Sequence, residues 1–91
     1  MKKNLEKATD AVLDIIREER NEGSEYDGWN KREVASYIYR DFLEGPQNIV
    51  FHELCKELQK YNVRGVIKEG IGVSVNGYVL EIRWNAESVI L

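Results

Sequence analysis

The 91-residue chain has one cysteine, one histidine, one proline and one methionine, and no run of more than three consecutive apolar residues. Each scarcity excludes something. A lone cysteine forms no internal disulfide and suits a reducing, cytoplasmic setting. Without about 18 consecutive apolar residues there is no transmembrane helix, and Lys2-Lys3 leads into no signal-peptide core. One histidine and one cysteine cannot close a tetrahedral zinc site, and no dense carboxylate loop suits calcium, so no metal or cofactor is expected. What is present is the composition of a soluble, folding protein: 43% hydrophobic and 32% charged. A chain this short makes a single domain, residues 1–91.

Helical period dominates the first two thirds. In residues 4–20, Leu5, Ala8, Val12, Ile15 and Ile16 share one face, with Asn4 as the N-cap. Residues 21–30 hold two glycines and turn-forming side chains, and read as an acidic loop carrying Tyr26 and Trp29. Residues 31–62 read as a helix-turn-helix-like pair. Asn30 and Glu33 form an Asn variant of the capping box, with Trp29 available as a hydrophobic staple. The stripe Val34, Ile38, Phe42 defines the second helix, and Gly45-Pro46 stops it. The third helix, over about residues 46–61, places Val50, Phe51, Leu54, Cys55, Leu58 and Tyr61 on its apolar face, with Asn62 as a cap.

From Val63 the period falls to two, so residues 63–91 read as a β-hairpin and tail. Asn76-Gly77 between alternating runs predicts a type I′ turn, which sets Val75 opposite Tyr78, Val73 opposite Leu80 and Ile71 opposite Ile82. Residues 63–67 are either a third strand or the lower part of a longer arm. The apolar end of the 88–91 tail is expected to dock. The fold class is α+β, three helices packed against a C-terminal antiparallel hairpin of two to three strands. This order resembles that of a winged-helix domain: two helices joined by a short turn, a third helix, and a two-stranded wing.

Little of this points to catalysis. His52 and Cys55 stand three apart on the third helix, but Cys55 shares the apolar stripe and nothing orients the imidazole. Gly70-Ile71-Gly72 enters a strand instead of preceding a helix, so it is no phosphate loop. A non-enzymatic protein is expected.

Charge divides the chain. Sixteen acidic and thirteen basic residues give −3, which argues against a strongly basic nucleic-acid coat. By segment, residues 1–29 carry five bases and eight acids, residues 30–68 seven and five, and residues 69–91 one and three. Glu6, Asp10, Asp14 and Glu18 recur every four residues, opposite the apolar face of the first helix. With Glu25, Tyr26, Asp27 and Trp29 in the loop, they form a surface suited to a protein partner with a basic groove. The first functional expectation is therefore a small regulator or inhibitor acting by protein–protein contact, of the kind a phage or mobile element carries. The alternative is a winged-helix DNA-binding transcriptional regulator. It would turn Gln47, Asn48, His52 and Lys56 toward base edges and set Lys31, Arg32 and Arg64 on phosphates. A third reading is a subunit whose hairpin edge pairs with a partner strand.

Overall fold

The computed structural model describes residues 2–21, 29–34, 36–70, 77–85 and 87–91. Among them, in chain order, are α1 (Lys2–Asn21), β1 (Trp29–Val34), α2 (Ser36–Phe42), α3 (Gln47–Gln59), β2 (Val63–Gly70) and β3 (Gly77–Asn85). The α+β class and the winged-helix-like order hold, with an added strand between the first two helices.

Helix α1 starts at Lys2, so Asn4 lies inside it and does not cap it. It buries Ala8, Thr9, Val12, Leu13 and Ile16 and leaves Leu5 and Ile15 at the margin. Thr9 is tolerated in the core because its hydroxyl donates to the carbonyl of Leu5, 2.8 Å away, which satisfies the buried oxygen. This face packs on α2 and α3.

The second helix is shorter than its periodicity predicts. Residues 29–34 form β1, and Asn30, Glu33 and Val34 are strand residues, not a capping box and first turn. The reason is long-range. Strand β3 is central in the sheet order β1-β3-β2, and β1 supplies antiparallel partners along the edge that β2 leaves open, from Trp29 opposite Asn85 to Val34 opposite Leu80. A paired edge outweighs a local capping signal, because unpaired backbone groups on a buried strand are costly. Trp29 is therefore no staple ahead of a helix.

The α2–α3 turn behaves as its residues require. Gly45 has φ +111, which a side chain would strain. Pro46 then caps α3 in an extended conformation, its carbonyl accepting from the N–H groups of Ile49 and Val50. Tyr39 spans the turn: its hydroxyl donates to the carbonyl of Gly45, and its ring meets Phe51 edge-on at 6.2 Å. The far end of α3 closes through Asn62 at φ 62, a left-handed position that asparagine accepts.

Residues 63–67 belong to the longer arm. Strands β2 and β3 pair from Val63 opposite Trp84 to Gly70 opposite Gly77, so Gly77 is a strand residue and Asn76-Gly77 is not the two-residue turn. Tyr78, Leu80 and Ile82 face Glu69, Ile67 and Gly65; their predicted partners Val75, Val73 and Ile71 lie outside the described residues. The register differs by six positions. Because six is even, the inward face of β3 is the expected one, and Leu80, Ile82 and Trp84 are buried. In the tail, Val89 is buried and the N–H of Ile90 donates to the carbonyl of Tyr61, while Ile90 and Leu91 remain exposed.

Candidate functional site

Helix α3 lies across β2 and spends one side on the core: Val50, Phe51, Leu54, Cys55 and Leu58 are buried. The flank beside that stripe presents Asn48, His52 and Lys56 one turn apart, then Gln59, all exposed. These four side chains, with Cys55, form the helical wall of a groove of about 630 Å³ whose other side is Gly65 and Ile67 of β2 and Tyr78 of β3. No acidic residue lines it. Among the described residues, the side chains of Asn48, His52, Lys56 and Gln59 hold no hydrogen bond or ion pair, so their polar groups are unspent.

The groove depends on a close approach. A Cβ on Gly65 would come 2.3 Å from the Cys55 sulfur and 3.1 Å from Leu80 Cδ1. Glycine lets β2 press against α3 there, and the flanking side chains then stand up around the contact. Burial pushes the Cys55 thiol pKa up, which holds it protonated and unreactive. His52 and Cys55 thus share a groove without forming a thiolate–imidazole pair. At the other end, Gln47 Oε1 accepts from the N–H of Tyr78 at 3.3 Å and ties the start of α3 to β3. This bond engages the Gln47 carbonyl oxygen and leaves its amide N–H groups.

The remaining expected DNA contacts are divided. Lys31 and Arg32 lie in β1, with Arg83 and Ile82 as their respective backbone partners. Arg64 is exposed on β2, also opposite Arg83. The register sets Arg64 beside Arg83 on the face of the sheet away from α3. In the adjacent row sits Glu81, buried, with Lys68 Nζ at 2.8 Å and Arg83 Nε also donating to its carboxylate. These two cations lower the Glu81 pKa to about 2.

On the acidic side, Glu6, Asp10, Asp14 and Glu18 are all exposed along α1, with Asp14 accepting from Arg17 Nη1 at 2.8 Å. Glu25, Tyr26 and Asp27 lie outside the described residues. Sequence reasoning found Asn48, His52 and Lys56 but missed Gln59, Gly65, Ile67 and Tyr78. Gln59 continues the polar stripe one turn beyond Lys56 and was legible; the strand residues become neighbours only through the β2–β3 register.

Among the described residues, no group of three or more His, Cys, Asp and Glu is placed to hold a metal ion, and no helix is long and apolar enough to cross a membrane. The chain matches no protein-family model, no curated protein and no solved structure.

Proposed function

We propose that this is a non-enzymatic, cytoplasmic DNA-binding protein, a regulator of transcription that sets α3 in the major groove of a duplex. The observation that carries the reading is the stripe Asn48, His52, Lys56, exposed and unspent beside an acid-free groove. Amide, imidazole and ammonium groups are the donors and acceptors that base edges and phosphates engage. Thirteen residues make α3 roughly 20 Å long, enough to follow the groove for several base pairs. The short α2–α3 turn and the β2–β3 hairpin frame it in the winged-helix-like order. Arg64 is exposed on the sheet face away from α3 and takes no part in this contact.

Few cations are available, so affinity should be modest and strongly salt-dependent, each neutralised phosphate contributing a slope of about −0.9 in log K against log salt. Fluorescence anisotropy of a labelled random-sequence duplex, titrated from low to moderate salt, tests this. We expect retention at low salt, weakening as salt rises. Lys56→Ala should weaken binding at every sequence and reduce the slope by about one. Failure to bind at low salt overturns the reading.

One observation favours a second reading, contact with a basic protein. The four acids of α1 stand exposed in one line, which would speed and orient docking on a positive surface. In that case capture of a partner from lysate should be lost with Asp10→Lys/Asp14→Lys and retained with Lys56→Ala.

A further inference from the structure

We propose that the groove between α3 and β2 is a binding site for a nucleoside monophosphate, a ligand that nothing in the duplex reading requires. It is an open groove of about 630 Å³, roomy enough to seat a ligand of nucleotide size along α3. Its lining is divided as such a ligand is divided. At one end Lys56 brings the one formal charge of the lining, and Gln59, one turn on, an amide N–H; both suit a phosphate. At the other end Tyr78 and Ile67 offer an aromatic and an apolar surface for a flat ring, and the Asn48 amide stands beside them to pair with a base edge. His52 lies between, where a ribose hydroxyl would reach the imidazole.

The spacing agrees. From Asn48 to Lys56 is eight residues of helix, roughly 12 Å along the axis, about the length of a nucleoside monophosphate. Among the described residues no partner already occupies the side chains of Asn48, His52, Lys56 or Gln59, so the ligand breaks no protein contact of theirs. Gly65 lets β2 approach α3 closely, and that contact with Cys55 forms the bottom of the groove. No acid in the lining repels the phosphate. The proposal stands without the duplex reading. If both hold, the two ligands share Asn48, His52 and Lys56, and the mononucleotide competes with DNA.

The test is a titration of ¹⁵N-labelled protein with adenosine 5′-monophosphate, followed by amide chemical shifts, with adenosine and inorganic phosphate as separate arms. The expected result is saturable shifts at Asn48, His52, Lys56, Gln59, Gly65, Ile67 and Tyr78. Adenosine and phosphate should each bind at least about tenfold more weakly, since each forfeits one end of the site. Lys56→Gln, at an exposed position that leaves the fold intact, should weaken the nucleotide by about tenfold and leave adenosine unchanged. Asn48→Ala should weaken the nucleotide and adenosine but not phosphate. Absence of saturable shifts overturns the proposal, as do shifts centred away from the groove. So does inorganic phosphate binding as tightly as the nucleotide, which would mark Lys56 as an exposed cation collecting anions.

Discussion

Glu81 is the most constrained titratable side chain in the described structure. It is buried on the outer face of the sheet and accepts from Lys68 and Arg83. Its pKa falls from an ordinary 4.5 to about 2, first through the Lys68 hydrogen bond, then that of Arg83. Between those values the unfolded chain binds the proton and the folded one does not, so stability falls as pH falls through that window. Above about pH 4.5 the contribution is fully present. Thermal melts at a series of pH values should show the wild-type midpoint dropping between pH 4.5 and 2, and Glu81→Gln should flatten that part of the curve while lowering stability at pH 7. If both proteins lose stability in parallel, the acid response lies in other carboxylates. Nothing in the local sequence marks Glu81 as buried: alternation sets it on the outer face, and only pairing with Lys68 from the neighbouring strand makes burial tolerable.

The contact between α3 and β2 makes a sharper prediction. Gly65→Ala places a methyl 2.3 Å from the Cys55 sulfur, so one element must move or the thiol must rotate. Overpacking of this kind costs about 1–3 kcal/mol. In a Cys55→Ala background the sulfur is gone, and the same substitution should cost about 1 kcal/mol less. A double-mutant cycle in urea reads this, and equal costs in both backgrounds would show that the glycine serves only its strand. This contact also explains what was legible. The apolar stripes of α1 and α3, the Gly45-Pro46 stop and the inward face of β3 follow from periodicity and turn chemistry, which act over a few residues. Strand β1 does not, since Asn30 and Glu33 spell a helix start as well as they fit an edge strand. Only the open side of β3, some fifty residues along the chain, decides between them. The hairpin register was lost in the same way. Asn76-Gly77 is a strong local turn signal, but β2 and β3 pair with Gly65 opposite Ile82 and Gly70 opposite Gly77, which makes Gly77 a strand residue. The candidate site divides likewise: its helical wall is a stripe in the sequence, and its strand floor exists only once the register is set.

Charge belongs to the chain in its entirety, and it bears on which surface is used. The formal −3 hides an acidic first segment, residues 1–29, in which α1 carries one exposed line of acids, and a central segment with two more bases than acids. A duplex approaching α3 feels both: the near cations attract, and the field of the far acids opposes over distances that the Debye length, about 10 Å at 0.1 M salt, permits. Replacing Asp10 and Glu18 with lysine adds two positive charges at each position and takes the formal charge from −3 to +1. Both side chains are exposed, so stability should change by no more than about 0.5 kcal/mol. If α3 is the working surface, Asp10→Lys/Glu18→Lys should tighten duplex binding at low salt, chiefly through a faster on-rate, and the gain should vanish by 0.5 M salt as the Debye length shrinks to about 4 Å. If the acidic line is itself the working surface, the same substitutions should abolish partner capture without touching the fold. Stopped-flow association with a labelled duplex, run beside a pull-down on the same variant, assigns the function to one face or the other. An unchanged duplex on-rate at low salt, with partner capture lost, would move the function from α3 to α1.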